Sequence, residues 1–401
     1  MIRNGKKKAI SCALVAAMSV GLAACGTTSY DFKVSYDGIK TGDVSSKVSV
    51  HDPSILKADG EYYIFGSHMS AAKSSDLLNW EKVADGYSKK NPVYGQIYDV
   101  ADEAFAYSGS KNSLIKTDDK QVHVWAPDVI YNETTGLVIH PEADKANNVD
   151  PYYGKRLLGG GHISIEGPYI MYDETSGYYY LFVSYGALTS NGGYQVRVFR
   201  SKTVDGEYVD MNGKYPEKSA QHQNFGLKLT GNYKLPSLEK AYMATGHNSA
   251  FVDDDGRMYL VYHTRFNDNG EGHSPRVHQM LVNEDGWPCE LPYQTQGETV
   301  NKDGYDADDI IGRYYVINQG TAVDSKIANP VILYLEKNGK VKGEKSEGTW
   351  ECKDGSYYMN ITIDGKKYSG VFCQMKDEAG SDVMTFSAVG ENKSVWGVKY
   401  L

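Results

Sequence analysis

The sequence has little helical patterning, few cysteines and a shortage of positive charge. Apolar residues recur in short runs interrupted by turn residues rather than at helical spacing, which favours an all-β fold. Five cysteines in 401 residues are too few for a scaffold built on disulfides, so a large apolar core must hold the chain together. The net charge of −9 argues against nucleic acid or an anionic surface as a partner.

The apolar run at the N-terminus, residues 9–24, is too short to span a membrane, which takes about 20 residues. It follows a positive head formed by Arg3 and Lys6–Lys8 and ends in small residues, as a secretory signal does. We therefore expect a secreted protein. Without these four cations the mature chain carries about −13, still further from a polyanion-binding protein.

The end of this segment, Leu22–Cys25, resembles a bacterial lipobox. That resemblance implies a signal peptide over residues 1–25, lipid on the Cys25 thiol and a tether over residues 26–46. The protein would then be anchored at the cell surface, touching the membrane only through its lipid. An ordinary signal peptide with a chance cysteine is the alternative.

Three cysteines remain after Cys12 leaves with the signal and Cys25 receives lipid: Cys289, Cys352 and Cys373. Their spacing resembles no zinc site. One disulfide among them would leave one thiol over, and the sequence does not select the pair.

Three strand–turn–strand units recur, over residues 53–65, 168–182 and 249–261. Each joins a short apolar strand to an apolar-aromatic return strand through an Asp-Gly or Ser-Gly turn, which predicts a β-hairpin. Their wide spacing favours blades of a β-propeller over a generic antiparallel sheet.

Polar residues precede each of these units. They are His51-Asp52, Glu166-Gly167 and Gly246-His247-Asn248. Because the inner strands of a propeller line one channel, we expect these side chains to converge on one cavity.

A fourth unit begins at Trp125–Tyr131, but its return strand, residues 137–140, runs directly into a polar stretch. From about residue 305 the pattern changes to closely spaced short strands, which predicts a small closed β-barrel. This barrel either binds sugar or braces the propeller, and we favour bracing. The predicted strands are Arg313–Asn318, Val331–Glu336, Gly348–Cys352, Tyr357–Ile363, Tyr368–Gln374, Asp382–Val389 and Ser394–Tyr400.

Two carboxylates on different repeats suit glycoside hydrolysis with inversion. One must protonate the leaving oxygen while the other activates a water on the opposite face, with roughly 6.5–9.5 Å between them. Asp52 and Glu166 hold equivalent positions in two repeats. Taken singly, each is more often a turn residue.

Five sequence strings occur in an order that resembles glycoside hydrolase family 43, and within it the arabinan endo-1,5-α-L-arabinosidases with an added C-terminal barrel. The resemblance runs from about Val48 to the C-terminus. The strings are Val50–Ile55, Gly66–Met69, Val124–Val129, Ser164–Ile170 and Thr245–Ser249.

The resemblance implies a five-bladed β-propeller over residues 47–304 and a lipocalin-like barrel over residues 305–401. It also implies an inverting mechanism, with Asp52 matching the general base and Glu166 the general acid. The substrate would be plant cell-wall arabinan, and the protein a monomer.

The resemblance extends to residues around the two carboxylates. His247 matches a histidine that holds calcium within a mostly water-filled shell; the alternative is a hydrogen-bonded core histidine. Trp125 either paves a sugar subsite or packs between blades. Ser67 and His68 would border the cleft.

The chain departs from the family pattern between Asp128 and Glu166. The family carries a third carboxylate there, which raises the pKa of the acid, and no matching string is present. The interval is also short, so we expect part of the second and third blades to be missing and activity to be impaired. Asp128 and Asp150 are weak replacement candidates. Two alternatives remain, an exo-acting arabinofuranosidase or xylosidase and a non-catalytic glycan-binding lipoprotein.

Overall fold

The computed structural model describes residues 29–97, 125–129, 149–150, 154–158, 165–215, 225–268 and 270–401. The chain divides into two compact units, Met1–Asp31 and Phe32–Leu401, and the architecture below belongs to the second. The predicted signal peptide with Cys25 and the irregular return strand over residues 137–140 lie outside the described residues. Within those ranges, no helix is long and apolar enough to cross a membrane.

The fold is all-β, as predicted, and its described residues begin with three antiparallel groups of four strands, here called sheets, of which the second continues through its last strand into the barrel. A two-stranded ribbon, β5 (Val149–Asp150) and β6 (Gly154–Lys155), lies between the first and second in sequence. The first sheet contains β1 (Ser54–Ala58), β2 (Glu61–Gly66), β3 (Ser70–Ser74) and β4 (Glu81–Ala84). The second contains β7 (Ile165–Asp173), β8 (Tyr178–Tyr185), β9 (Gln195–Ser201) and β10 (Leu227–Thr230). The third contains β11 (Tyr242–Val252), β12 (Met258–Phe266), β13 (Ser274–Val282) and β14 (Pro288–Glu290).

The three predicted hairpins are confirmed as β1–β2, β7–β8 and β11–β12. Their return strands carry the apolar core, because alternate residues of a strand point to opposite faces. Tyr180 and Phe182 of β8 and Leu260 and Tyr262 of β12 are fully buried in this way. The family resemblance predicts five blades. The stretch predicted to be incomplete falls mostly outside the described residues, so the closed propeller stays a prediction.

The C-terminal part is an eight-stranded barrel, preceded by the short helix α1 (Ala307–Ile310). It closes because β15 pairs with both β16 and β22. Its own core contains Tyr314, Phe372 and Phe386. The strands are β15 (Gly312–Asn318), β16 (Val331–Leu335), β17 (Lys340–Gly343), β18 (Glu347–Cys352), β19 (Tyr358–Ile363), β20 (Lys366–Lys376), β21 (Asp382–Gly390) and β22 (Lys393–Tyr400).

The barrel is joined to the second sheet, since β22 pairs with β10 in parallel at Lys228 and Lys393. Trp396 of β22 is fully buried and meets Tyr233 edge to face, with ring centroids 5.1 Å apart. Buried Arg197 of β9 donates to the carbonyl of Thr321 in the loop between β15 and β16. This continuous packing favours the bracing role predicted for the barrel.

Part of the segment predicted to be a tether is packed against the body. The Phe32 ring meets Tyr334 edge to face at 5.8 Å, and Val44 is 4% exposed. Buried Arg276 donates to the Val44 carbonyl. A flexible tether therefore does not extend as far as residue 46, because apolar side chains hold this stretch in place.

The cysteines Cys289, Cys352 and Cys373 are all free thiols. Cys289 and Cys373 are buried in the apolar core cluster shared by the sheets and the barrel. No two of these three described cysteines therefore form a disulfide.

Arg197 tests how strongly the barrel is held. We expect Arg197→Met to lower the free energy of unfolding by about 3 kcal/mol, because the carbonyls of Phe225 and Thr321 lose their buried donor. Urea denaturation followed by fluorescence and circular dichroism measures the change. Lys326→Met, an exposed cation near the same loop, should change it by less than about 0.5 kcal/mol. Equal effects of the two changes would contradict this role for Arg197.

Candidate active site

Asp52 is a buried carboxylate at the start of the first sheet, 5% exposed, with a positive φ of 56°. Its Oδ2 accepts a hydrogen bond of 2.5 Å from the Ser67 hydroxyl. Its Oδ1 lies 3.0 Å from Nε2 of His51 and 3.1 Å from Nδ1 of His247. Its backbone N–H donates to Nδ1 of His263 at 3.2 Å. A non-glycine residue with positive φ is uncommon, and such strain persists where the surroundings fix it.

These neighbours decide the charge of Asp52. Burial by itself raises the pKa of a carboxyl group. The hydrogen bond from His51, the charges of His247 and His51, and the Ser67 hydroxyl together outweigh burial and lower the pKa of Asp52 below its usual value of 3.8. Asp52 is therefore an ionised base at neutral pH.

Glu166 lies at the start of β7, and its side chain is exposed. Its Oε1 accepts a hydrogen bond of 2.8 Å from the Tyr194 hydroxyl. The pairing of β7 with β8 slips between Glu166 and Tyr169, where Gly167 has a φ of +57° and would place a Cβ 3.3 Å from His247. The slip therefore lies directly beside His247, and β-bulges are common next to active sites.

Tyr194 connects the two carboxylates. Its hydroxyl is 2.8 Å from Glu166 Oε1 and 3.3 Å from His247 Nδ1, which is itself 3.1 Å from Asp52 Oδ1. These three contacts place the two carboxylate oxygens no more than about 9 Å apart, inside the upper limit for an inverting pair. Tyr194 is fully buried, and burial together with the charge of Glu166 raises its pKa. It therefore stays a neutral donor.

His247 and Tyr194 approach each other because β11 is irregular there. Its register with β12 shifts on both sides of Gly246, and His247 has a φ of 48°. A Cβ at Gly246 would lie 2.2 Å from the Tyr194 ring. The backbone N–H of His247 donates to the buried Ser184 hydroxyl at 2.7 Å. Only glycine at position 246 leaves room for the Tyr194 ring beside the backbone of β11.

The structure brings Ser67, His68 and Trp125 to the same region. The Ser67 hydroxyl contacts Asp52 and also accepts the backbone N–H of Ala126 at 2.7 Å, which places the residue after Trp125 beside Asp52. The Trp125 ring is 64% exposed, so it is not packed between blades. His68 is exposed, and its Nδ1 lies 2.9 Å from the Tyr87 hydroxyl.

Asp128 and Asp150 are the two candidates for the third carboxylate. Asp128 accepts a hydrogen bond from Ser54 at 2.9 Å, and its charge helps to raise the pKa of Tyr169, after burial. Asp150 is described only in its backbone, in the short strand β5. Neither is placed against Glu166 by the hydrogen bonds of the described residues.

Three histidines that the sequence reasoning did not select surround Asp52. Ring nitrogens of His51, His263 and His273 lie within 4.8 Å of one another. Burial lowers the pKa of His263 well below its usual value and that of His273 to about 3, so both rings are neutral. His51 lies in the family string Val50–Ile55, but no functional role was predicted for it from the sequence. The signal that could have marked it is its position directly before Asp52.

The calcium predicted at His247 stays a prediction. Nδ1 of His247 is taken up by Asp52 and Tyr194. A group of potential ligands beside Asp52 consists of imidazoles, with buried Nε2 atoms of His263 and His273 unpartnered in the described part of the chain. Calcium prefers oxygen ligands, whereas imidazole suits softer cations.

Two family models match this chain. One, described as glycosyl hydrolases family 43, covers residues 136–288, which include Glu166 and His247 but not Asp52. The other, a C-terminal lipocalin-like domain, covers residues 292–397 and thus the barrel.

Curated relatives match over most of their length. An extracellular endo-α-(1→5)-L-arabinanase 2 of Bacillus subtilis strain 168 is 33% identical over 447 aligned positions, which cover 89% of this chain and 94% of that protein. An extracellular endo-α-(1→5)-L-arabinanase of Thermotoga petrophila is 32% identical over 453 positions, with 87% and 93% covered.

Two solved structures also match over most of their length. The crystal structure of the endo-1,5-α-L-arabinanase of Thermotoga petrophila RKU-1 superposes with a TM-score of 0.75 at 31% identity, covering 90% of this chain and all of that one. The family 43 YxiA protein of Bacillus licheniformis gives a TM-score of 0.72 at 31% identity, with 90% and 99% covered.

The hydrogen bond from Ser67 can be tested directly. We expect Ser67→Ala to raise the pKa of Asp52, because the charged form loses a donor. A ¹³C carboxyl titration by NMR measures this, with the resonance assigned by its loss in Asp52→Asn. Ser54→Ala, whose hydroxyl contacts Asp128 instead, serves as the control and should leave that pKa in place. An unchanged Asp52 pKa in Ser67→Ala would contradict the account.

Proposed function

The chain belongs to family 43 of the glycosyl hydrolases, and we propose that it cuts α-1,5-linked L-arabinan internally, with inversion at the anomeric carbon. The endo-arabinanase names of its relatives supply the substrate. The observation that carries the proposal is the path of contacts from Asp52 through His247 and Tyr194 to Glu166. It brings a buried base and an accessible carboxyl group to one site.

Asp52 acts as the general base in this proposal. Its pKa is lowered, so the carboxylate is available to accept a proton from the attacking water. The Ser67 hydroxyl and the His51 and His247 rings fix both carboxylate oxygens. The base therefore does not have to reorient as the water attacks.

Glu166 acts as the general acid on the other side of the bond. Its exposed carboxyl group can reach the leaving oxygen, while the Tyr194 hydroxyl holds Oε1. The upper bound of about 9 Å between the two carboxylates is compatible with the spacing of an inverting pair, which is roughly 6.5–9.5 Å. Tyr194 is a positioning residue here, because it acts through Glu166.

Extracellular relatives support secretion of this protein. We propose that it works as a monomer on plant cell-wall polysaccharide outside the cell, attached by lipid at Cys25. An extracellular location suits a substrate too large to enter.

The short interval between Asp128 and Glu166 supports a second part of the proposal, that activity is impaired. The alignments to the two curated relatives run over 447 and 453 positions, more than the 401 residues of this chain. Those relatives therefore contain residues without a counterpart here. The family 43 match also begins only at residue 136. Both findings agree with an internal deletion that removes the third carboxylate.

The missing carboxylate also favours one alternative, a glycan-binding lipoprotein that keeps the cleft without the chemistry. The exposed Trp125 ring beside Ser67 and Asp52 would serve sugar binding in either case. An exo-acting enzyme on the same scaffold would differ in its products.

The two carboxylates give the direct test of function. We expect Asp52→Asn and Glu166→Gln each to lower hydrolysis of linear arabinan by about 10²–10⁴-fold, the usual contribution of an acid or base. Release of reducing ends measures this, and chromatography of the products separates oligosaccharides from monosaccharide. Asp85→Asn changes an exposed carboxylate directly after β4 and should leave the rate unchanged. Retained activity in both active-site variants would refute the assignment, and exclusive release of arabinose would replace endo by exo cutting.

The deletion predicts a low turnover even in the unaltered chain. We expect kcat on linear arabinan to lie at least about tenfold below that of the Thermotoga petrophila relative, because the acid lacks a neighbouring carboxylate to favour its protonated form. Parallel assays at the optimum of each enzyme measure the ratio, and a folding control comes from thermal unfolding. Equal turnover would remove the proposed impairment.

A further inference from the structure

A second cavity, of about 750 Å³, lies at the opposite end of β7 from Glu166. The hairpin turns after β7, β11 and β13 surround it, and Tyr357 and Tyr358 of the barrel complete its wall. Between Glu166 and Asp173 the strand rises about 3.3 Å per residue, so the cavity is roughly 20 Å from the acid. It is therefore separate from the site of hydrolysis, and its volume is typical of a ligand pocket.

The barrel side of the cavity offers aromatic surface. The rings of Tyr357 and Tyr358 are 4.5 Å apart at an angle of 35°, and their hydroxyls are 3.3 Å apart. Both side chains are half-buried. Tyrosine combines an apolar face with a polar edge, which matches a sugar ring with one apolar face and hydroxyls at its rim.

The charged groups at the wall nearly balance, because four carboxylates face Arg257, Lys302 and the adjoining Lys353. Glu284 pairs with Lys353, and the Asp255 carboxylate lies 3.2 Å from Nε of Arg257. The Asp173 carboxylate accepts backbone N–H groups of its own turn, from Thr175 and Ser176. The cavity is thus better suited to an uncharged polyhydroxyl ligand than to an ion.

Gln279 of β13 provides the independent sign of a ligand. Its side chain lines the cavity and is 2% exposed, and its Oε1 has no hydrogen-bond partner within the described ranges. A buried carbonyl oxygen without a donor costs about 1–3 kcal/mol. A hydroxyl group bound in the cavity would satisfy it.

We propose that this cavity is a second glycan-binding site, which holds a short stretch of neutral pentose polymer away from the reacting carboxylates. The choice of arabinan as the pentose polymer rests on the proposed function, whereas the existence of a neutral-glycan site does not. Holding the polymer at two places raises its effective concentration at the cleft. The site therefore acts on affinity for long chains and leaves the chemistry unaltered.

The full-length Glu166→Gln chain separates binding from hydrolysis. Calorimetric titration with linear arabino-oligosaccharides of about six residues should show two sites. Adding Tyr358→Ala should weaken one of them at least about tenfold, because the aromatic ring that packs against the sugar and its hydroxyl group are lost together. Tyr172→Ala removes an exposed tyrosine of β7 that does not line the cavity and should leave both sites unchanged. A second change, Gln279→Met, removes the acceptor oxygen at nearly the same side-chain volume and should weaken the same site.

Three outcomes would overturn the proposal. They are a single site in Glu166→Gln, two sites that both survive Tyr358→Ala and Gln279→Met, and loss confined to variants that no longer unfold cooperatively. A second readout is kinetic: in the hydrolysing chain, Tyr358→Ala should raise KM for polymeric arabinan several-fold and leave kcat/KM for short oligosaccharides alone. The chain could show no hydrolysis at all while the Tyr358-dependent site still binds a neutral oligosaccharide. In that case the proposed function fails and this inference stands.

Parallel titrations with xylo- and gluco-oligosaccharides identify the polymer. Binding of charged oligosaccharides alone would refute a neutral-glycan site.

Discussion

The burial of Asp52 as an anion is the constraint on which the site depends. A carboxylate that loses water must regain its hydrogen bonds from the protein, or its pKa rises and the charge is lost. Here the donors come from three separate parts of the chain: Ser67 follows β2, His51 precedes β1 and His247 belongs to β11. Keeping one charge ionised therefore fixes the first and third sheets against each other at this point.

The same arrangement positions the second carboxylate. His247 approaches Asp52 only because β11 departs from regular pairing around Gly246, and this irregularity also brings Tyr194 into contact. Tyr194 then determines where Glu166 lies. The fold supplies rigidity from outside the site, since the barrel shares a core with the second sheet and holds Arg197 and Trp396 in it. The chemistry at one end of the strands and the tyrosine-walled cavity at the other thus rest on one continuous framework.

Much of the architecture could be predicted because it depends on local sequence. Asp-Gly and Ser-Gly turns located the three hairpins, and alternating residues located the barrel strands except β17, where Val341 is the one buried side chain in Lys340–Gly343. Asp52, Glu166, Ser67 and His247 were chosen from motifs, and the structure places them together. Tyr194 could not be chosen, because one tyrosine among 33 gains its role only from the approach of β9 to β11. The packing of Val44 was likewise missed, since an apolar residue in a polar segment has no local signature of its partner.

A crystal structure of the Glu166→Gln chain with a linear arabino-oligosaccharide would show whether Asp52 and Glu166 flank the bond that is cut. We expect one glycosidic oxygen within hydrogen-bond distance of residue 166, with an ordered water between the adjoining anomeric carbon and the Asp52 carboxylate. A sugar chain bound with those two side chains on the same face of the linkage, or away from both of them, would contradict this expectation.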